Sequence, residues 1–360
     1  MPAYKDKKTW YVKFRYKDWR GEYVYKTKRG FKTKKEAQEW ETQYKLKMSG
    51  STEMTLKDFV ARYKEELYPR IKESTTCTKD NIIDTKILPY FGDKKISEIS
   101  ASDIIQWQNE LLKAVNPRTG QKYSRAYLKT VHAQLSTILN YAVRNYNLNQ
   151  NNASKVGNMV RERDIKKRMS FWTLDDFRKF IDVMAEEPVA YYAFETLYWT
   201  GMREGELLAL TLSDIDFKKS TIKIDKTYQV LRGKEVITDP KTIKSNREIR
   251  MPDFLRDELR EYCDMTYCLR PNDRIFPISK TYLNNHIKKG AKEAGLKQIR
   301  VHDLRHSHIS LLINMGYNAV AIAERVGHES IAITYNYAHI FPTVQSEMCN
   351  QLETIRRANQ

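Results

Sequence analysis

The sequence has few cysteines and no long apolar run, and each absence excludes a class of protein. Four cysteines occur in 360 residues, and none stands in a Cys-x-x-Cys pair, so neither a disulfide framework nor a cysteine zinc site is predicted. No stretch approaches the ~20 apolar residues of a membrane helix, and the first residues lack the apolar stretch of a signal peptide. We therefore expect a soluble, intracellular protein.

Acidic residues are outnumbered by basic ones. Lysine and arginine total 63 against 45 aspartates and glutamates, which leaves a formal net charge of +18. A surplus of this size favours a polyanionic partner, and nucleic acid is the first candidate. Half of the excess lies in residues 1–50, where 15 basic and 6 acidic side chains leave +9. With 41% hydrophobic residues, the body of the chain can still form globular cores.

Residues 1–50 predict a small sheet backed by one helix. Apolar and cationic side chains alternate over residues 10–16, which is the period of a half-buried strand. A second strand is predicted over residues 22–28 and a helix from about Lys34. The outward side chains Tyr11, Lys13 and Arg15 suit a DNA groove, and a merely solubilising surface is the alternative. We expect a DNA-binding domain here.

Residues 52–158 predict an all-helical domain. Thr55 can cap a first helix, and apolar stripes at helical spacing follow over residues 80–88, 102–115 and 124–146. Such stripes are typical of a core, so we assign them no chemistry. The polar residues 147–157 and the basic residues 161–168 predict a linker that can follow a phosphate backbone.

Residues 165–360 predict a third domain, mostly helical with a small antiparallel sheet. Thr173 and Asp176 are typical of a capping box at the start of a helix. Short strands are predicted over residues 221–224, 229–231 and 247–251. The predicted fold class is therefore multidomain and mainly α, with one small sheet in the first domain and another in the last.

Four segments of the third domain carry polar groups that a core would not select. Their side chains are Arg203, Lys241, His302, Arg305, His328 and Tyr337. Arginine forks can neutralise the non-bridging oxygens of a phosphodiester without a metal ion. His302 and Arg305, three residues apart on a predicted helix, could point at one phosphate. The set suits phosphoryl transfer, and neither a metal nor another cofactor is expected.

Together these segments resemble the tyrosine recombinases, the lambda-type integrase family of phages and integrative elements. Thr-Gly-Met-Arg-Glu-Gly-Glu-Leu at 200–207 is similar to the box of the first catalytic arginine, and His-Asp-Leu-Arg-His at 302–306 to the box of a histidine and the second arginine. Val-Gly-His at 326–328 resembles the usual Leu-Gly-His, and Asn-Tyr-Ala-His at 336–339 the nucleophile segment. Residues 1–50 resemble the arm-binding domain of integrases from Gram-positive bacteria, and residues 52–146 the core-binding domain.

The resemblance implies a role for each of these residues. Tyr337 attacks the scissile phosphate and forms a 3′-phosphotyrosyl link, which releases a 5′-hydroxyl. Arg203 and Arg305 stabilise the charge on the phosphate oxygens, and His328 donates a further hydrogen bond there. Glu206, three residues after Arg203, orients that arginine or supports the helix.

Proton transfer falls to two further residues by the same resemblance. His302 is the candidate base, because a phenol with a pKa of about 10 is mostly protonated at neutral pH. Lys241 protonates the leaving 5′ oxygen. Lys244 competes with Lys241, which we prefer because Pro-Lys-Thr matches the family segment. Tyr335 competes with Tyr337, which the family spacing of nine residues from the Gly-His histidine selects.

The implied function is a site-specific DNA integrase that inserts a mobile element into a host chromosome and excises it. A type IB topoisomerase-like enzyme is one alternative, and the three-domain layout disfavours it. A catalytically inactive DNA-binding regulator is the other, and the full set of polar residues disfavours it.

The implied partners follow from that function. They are double-stranded DNA attachment sites, three further copies of the chain in a homotetramer on DNA, an excisionase and a DNA-bending host factor. An apolar stripe within residues 342–359 is expected to dock on a neighbouring protomer. No membrane contact is expected, and the location is the bacterial cytoplasm at the nucleoid.

Overall fold

The computed structural model describes residues 3–6, 9–17, 23–49, 54–160, 169–240 and 243–330, together with 349, 353, 354, 356 and 357. The chain forms two compact units, residues 1–167 and residues 168–360. None of the described helices is long and apolar enough to cross a bilayer. The predicted fold class is confirmed, since mainly helical units carry small antiparallel sheets.

The first unit begins with a three-stranded antiparallel sheet in the order β1-β2-β3. The strands are β1 (Ala3–Asp6), β2 (Thr9–Lys17) and β3 (Tyr23–Phe31), and helix α1 (Lys34–Ser49) packs on one face. Val12, Phe14 and Phe31 are buried beneath α1, while Lys13 and Arg15 are exposed on the other face. The predicted alternation therefore holds. Strand β1 was not predicted, because its four residues are too few to show a period.

A bulge interrupts the pairing of β2 with β3. Trp10 pairs with Phe31, but the next residue, Tyr11, pairs with Arg29, so Gly30 has no partner across the ladder. Gly30 has φ 95°, a left-handed conformation that glycine adopts without a steric penalty. The extra residue lets Phe31 enter the core while Arg29 stays exposed.

Helices form the rest of the described part of this unit. They are α2 (Leu56–Leu67), α3 (Glu73–Ile82), α4 (Leu88–Phe91), α5 (Ala101–Lys113), α6 (Arg125–Tyr146) and α7 (Asn152–Val156). Thr55 caps α2 as predicted, because its side chain accepts a hydrogen bond from the Asp58 N–H. A π-helical turn, Ile83–Ile87, joins α3 to α4. Pro89 lies just after it, and a proline lacks the N–H that an α-helical turn would need there.

The second unit begins with three helices that build its core. They are α8 (Leu174–Met184), α9 (Pro188–Thr200) and α10 (Glu204–Ala209). The predicted capping box at Thr173 is confirmed, since its side chain and that of Asp176 each bond the other's backbone N–H. Phe177 stacks on Tyr198 with ring centroids 3.7 Å apart, which ties α8 to α9.

The sheet predicted for this unit is divided in two. Strands β4 (Ile215–Asp216), β5 (Thr221–Ile224) and β8 (Arg247–Arg250) pair in the order β4-β5-β8, while β6 (Thr227–Leu231) and β7 (Lys234–Thr238) form a separate hairpin. Strands β4 and β7 were not predicted, because β4 has only two residues and β7 is mostly exposed and polar. The expected small antiparallel sheet is therefore present, and a separate hairpin accompanies it.

Four further α-helices in the described part of the second unit follow the sheets. They are α11 (Asp253–Met265), α12 (Lys280–Glu293), α13 (Asp303–Asn314) and α14 (Ala319–Val326). Two of them, α13 and α14, carry residues of the candidate site. Helix α13 packs against α9 and α14, and α14 also contacts β8. The turn after α9, the start of α13 and the end of α14 are thereby linked through direct contacts.

Candidate active site

Arg203 lies between α9 and α10. Helix α9 ends at Gly201, whose φ of 67° allows the chain to turn sharply. The Arg203 Nη1 atom donates to Glu206 Oε1 at 2.7 Å, and Nη2 donates to the Gly327 carbonyl at 3.2 Å. Its side chain remains 36% exposed. The predicted orienting role of Glu206 agrees with this contact.

Arg305 lies in the first turn of α13 and is almost fully buried, with 3% of its surface exposed. Its Nη1 atom donates to the Gly201 carbonyl at 2.8 Å, two residues before Arg203. His308, one turn along α13, packs under Gly201 so closely that a Cβ at 201 would lie 2.5 Å from its ring. The two arginines thus meet at the turn that follows α9.

His328 follows the left-handed end of α14 at Gly327. Its backbone N–H donates to the Ala323 carbonyl at 2.9 Å, which holds the turn closed. Since Gly327 also accepts from Arg203, the residue before His328 is fixed to the first arginine. Burial, together with the positive charges of Arg305 and Arg203, lowers the pKa of His328 to about 4. The imidazole is therefore neutral at physiological pH and can donate a hydrogen bond without carrying charge.

His302 directly precedes α13, and its ring lies edge-on to that of His306 with centroids 5.2 Å apart. The residue is exposed, yet neighbouring atoms partly desolvate its ring, and this effect, with the charges of His306 and Arg305, lowers its pKa to about 4. His302 is thus deprotonated at neutral pH. A deprotonated imidazole has the free nitrogen that a general base requires.

Two half-buried arginines that were not predicted from the sequence, Arg247 and Arg325, support this cluster. Arg247 on β8 donates from Nη2 to Glu206 Oε2 at 2.8 Å. Arg325 on α14 donates from Nε to His308 Nε2 at 3.1 Å and from Nη2 to the Trp199 carbonyl at 3.0 Å. A signal for Arg247 was present, since it lies two residues before the buried Ile249 and therefore on the same, inner face of β8.

Several predicted residues lie outside the described part of the chain. Lys241 is among them, as are both tyrosine candidates, Tyr337 and Tyr335, and the C-terminal stripe within residues 342–359. The basic residues 161–168 are also outside it. The competing lysine, Lys244, is described, and its Nζ atom donates to the Glu329 carbonyl at 3.2 Å.

The candidate DNA-binding side chains of the first unit share the exposed face of the sheet. Lys13 and Arg15 are exposed, and Tyr11 is half-buried because its ring stacks on Tyr4 with centroids 5.3 Å apart. The guanidinium of Arg29 lies 5.5 Å from the centroid of the Tyr11 ring. The face therefore combines cations with flat aromatic surfaces.

Within the described ranges, no group of three or more histidine, cysteine or carboxylate side chains is arranged to hold a metal ion. The clustered charges are instead guanidinium groups. The arrangement can bind an anion through Arg203 and Arg305, with two neutral imidazoles beside them.

Comparison with known families gives matches along most of the chain. Residues 170–343 match the phage integrase family, residues 55–112 the SAM-like N-terminal domain of phage integrases, and residues 2–48 an arm DNA-binding domain. The integrase of ICEBs1 from Bacillus subtilis is 31% identical over 291 residues, which cover 76% of each protein.

Solved structures share the fold. The Tn1549 transposon integrase in complex with a circular intermediate DNA has a TM-score of 0.65 and 19% identity, covering 79% of this chain and 94% of that one. A lambda integrase tetramer bound to a Holliday junction has a TM-score of 0.57 and 18% identity, covering 92% of this chain and 96% of that one. The resemblance noted in the sequence is thereby confirmed.

Proposed function

This chain belongs to the phage integrase family of tyrosine recombinases, and we propose that the arginine–histidine cluster of its second unit is the centre of the reaction. The protein is a site-specific recombinase that breaks and rejoins DNA strands to integrate or excise a mobile element. The observation that carries the assignment of the centre is the pair of contacts Arg305 to Gly201 and Arg203 to Gly327, which bring both arginines and His328 together.

The arginines bind the scissile phosphate. Arg203 and Arg305 neutralise its non-bridging oxygens, and burial of Arg305 strengthens its field because little water screens it. His328 donates a hydrogen bond to the same oxygens from a neutral ring. A phosphodiester carries one negative charge, so two guanidinium groups leave the bound site positive as further charge develops.

Tyr337 is the nucleophile in this proposal. Its phenol oxygen attacks phosphorus as the proton passes to His302, and the bond from phosphorus to the 5′ oxygen breaks. Lys241 gives a proton to that oxygen, so the products are a 3′-phosphotyrosine and a 5′-hydroxyl. A 5′-hydroxyl from another strand reverses each transfer, because the phosphotyrosine keeps the bond energy.

The rest of the chain directs this chemistry to its sites. We assign residues 1–50 as an arm-type DNA-binding domain that uses Tyr11, Lys13 and Arg15, residues 52–158 as the core-binding domain and residues 165–360 as the catalytic domain. The net charge of +9 in residues 1–50 supports the first assignment. Removal of residues 1–50 should abolish integration but spare cleavage of a short core-site duplex.

The proposed function includes the assembly of several copies of the chain on DNA. The lambda integrase tetramer on a Holliday junction shares this fold, which supports a homotetramer of the present chain on two duplexes of attachment-site DNA. Excisionase and DNA-bending host factor are the accessory partners in this scheme, and the reaction takes place in the bacterial cytoplasm, at the nucleoid. The C-terminal stripe docks on the neighbouring protomer, so truncation after residue 341 should reduce assembly.

A covalent-adduct assay on a nicked duplex carrying the core site tests the reaction centre. Tyr337→Phe should bind this DNA normally and form no adduct, because only the attacking oxygen is removed. Tyr335→Phe is the matched control and should form the adduct. If Tyr337→Phe formed the adduct and Tyr335→Phe did not, the nucleophile would be Tyr335.

Arg203→Lys tests the arginine in the same assay. An ammonium group keeps the charge but cannot reproduce the bidentate fork, so adduct formation should fail. Near-normal cleavage by Arg203→Lys would show that Arg203 is not part of the reaction centre. Recombination between two marked duplexes by the wild-type protein would distinguish a recombinase from an enzyme that only nicks and religates.

A further inference from the structure

Arg247 on β8 has an unusual position for a charged side chain. Its side chain is only 6% exposed, and its guanidinium donates four hydrogen bonds. Nη1 and Nη2 donate to the two oxygens of Glu206, Nη1 also donates to the Ser245 carbonyl, and Nε donates to the Arg325 carbonyl. A buried charge held by this many partners is fixed in one orientation.

Glu206 is shared between Arg247 and Arg203. Its Oε1 atom accepts from Arg203 Nη1 at 2.7 Å and from Arg247 Nη1 at 3.2 Å, while Oε2 accepts from Arg247 Nη2 at 2.8 Å and from the Arg203 N–H at 2.9 Å. Burial alone would raise the pKa of Glu206, but the hydrogen bonds and charge of Arg247, followed by the charge of Arg203, keep it below its ordinary value. Glu206 is therefore a carboxylate held mainly by Arg247.

The charges of Arg203, Glu206 and Arg247 together determine how strongly Arg203 can attract an anion. Two guanidinium groups and one carboxylate leave one positive charge, and Arg203 is the exposed member, with 36% of its side chain accessible against 6% for Arg247. Without Arg247, Glu206 has two possible states. As a carboxylate it would neutralise Arg203 completely, and as a protonated carboxyl it would no longer hold Arg203 in place. In both cases an anion at Arg203 would meet a weaker or misplaced cation.

Arg247 also contacts the turn that precedes His328. A Cβ added to Gly327 would lie 3.1 Å from Arg247 Cδ and 3.2 Å from Nη1, so the side chain packs directly on that glycine. The Gly327 carbonyl accepts from Arg203 Nη2 at 3.2 Å. Arg247 therefore supports Arg203 from two sides, through Glu206 and through Gly327.

We propose that Arg247 is a positioning residue, which holds Glu206 and the turn at Gly327 so that the exposed Arg203 keeps its charge and direction for a DNA phosphate. The inference rests on the reaction centre proposed above and adds a residue that does not touch the DNA. A displacement of a reacting group by about 1 Å can cost on the order of 100-fold in rate. The loss should therefore appear in cleavage and hardly at all in DNA binding.

The test measures two quantities for the full chain on the same nicked core-site duplex. One is the dissociation constant, and the other is the single-turnover rate of adduct formation at saturating protein, counted per molecule of bound DNA so that unfolded protein does not contribute. Arg247→Met should lower the rate about 100-fold and change the dissociation constant by less than about threefold. Arg247→Lys should recover only part of the rate, because it restores charge without the fork.

Arg256→Met is the matched control. Arg256 is also a partly buried arginine of this unit, and it bonds two aspartates and the Ser220 hydroxyl on the surface of α11. The rate of this variant should stay within about twofold of the wild-type rate. A similar loss in Arg256→Met and Arg247→Met would show a general effect of losing an arginine that bonds carboxylates, and it would overturn the proposal.

A double-mutant cycle tests the route of action. Because part of the effect of Arg247 runs through Glu206 and part through Gly327, adding Arg247→Met to Glu206→Gln should lower the rate by clearly less than the about 100-fold loss of Arg247→Met alone, whereas independent effects would multiply. Full multiplication, or an unchanged rate in Arg247→Met alone, overturns the proposal. Absence of any adduct with the wild-type protein would instead contradict the proposed function itself.

Discussion

A buried carboxyl of the second unit should make its stability depend on pH. Glu195 lies on α9 with 6% of its surface exposed. Burial and the charge of Glu258 on α11 raise its pKa to about 7, although a hydrogen bond from Trp199 opposes the rise. Burial and the charge of Glu261 also raise the pKa of Glu258. Ionisation of Glu195 above about pH 7 therefore opposes folding.

The direction and the size of this pH dependence follow from the linkage between proton binding and folding. A carboxyl whose pKa is higher in the folded than in the unfolded state contributes stability that is fully present below about pH 4.5 and is lost as the pH rises through about 7. The difference between the two pKa values corresponds to roughly 3 kcal/mol. Glu195→Gln removes the ionisation and keeps the shape. The variant should therefore exceed the wild type in free energy of unfolding by up to about 3 kcal/mol at pH 8.5 and by little at pH 5.

Urea titrations of the full chain, read by pulsed hydrogen exchange in peptides of α9 and α11, would measure this difference. Wild type and variant are compared at the same pH, so the intrinsic exchange rates cancel. Glu186→Gln, at an exposed glutamate between α8 and α9, is the control and should show no pH-dependent gain. A gain of Glu195→Gln that is equal at pH 5 and pH 8.5 would refute the linkage, because it could not come from ionisation.

Three further predictions concern a glycine, a helix cap and the absence of a metal requirement. Gly201→Ala should destabilise the second unit more than Gly233→Ala, because both have left-handed φ but only the Cβ at 201 would strike the His308 ring; equal losses in urea titration would contradict this. Thr173→Ala should cost about 1 kcal/mol in the same titration, because the Asp176 N–H loses its bond to the Thr173 hydroxyl, and an unchanged midpoint would show that the cap is redundant. EDTA should leave strand cleavage unchanged, since guanidinium groups supply the charge, and a strict Mg²⁺ requirement in a gel assay would refute that reason.

Local sequence patterns predicted the elements whose signals are short in range. The cap at Thr55, the capping box at Thr173 and the strand around Val12 each depend on residues within one turn or one pleat, and each is present. The π-helical turn before Pro89 was not predicted, because the helical stripe continues through it and only the missing N–H marks the irregularity. Strand β7 was not predicted, because most of its side chains lie in solvent when it pairs with β6 and they show no buried alternation.

In the candidate site too, local sequence patterns did not predict contacts between residues far apart in the chain. Arg203, Arg305 and His328 were selected as a set, yet nothing in their spacing indicated that Arg305 would reach the Gly201 carbonyl, a contact across 104 positions of sequence. The support from Arg247 was missed for a related reason. A single arginine in an alternating strand gives no indication of its partner, and Glu206 lies 41 residues earlier.

The bulge at Gly30 has a consequence for how the first sheet can vary by insertion and deletion. Because the extra residue separates Arg29 from Phe31, a deletion of Gly30 would act as a structural frameshift: either Phe31 would lose its place beneath α1, or Arg29 would be turned into the core. Substitutions on the exposed face leave that frame intact. Side chains on the outer surface can thus be exchanged without disturbing the fold of the sheet, whereas the number of residues in β3 is fixed by Phe31, the core residue at its end.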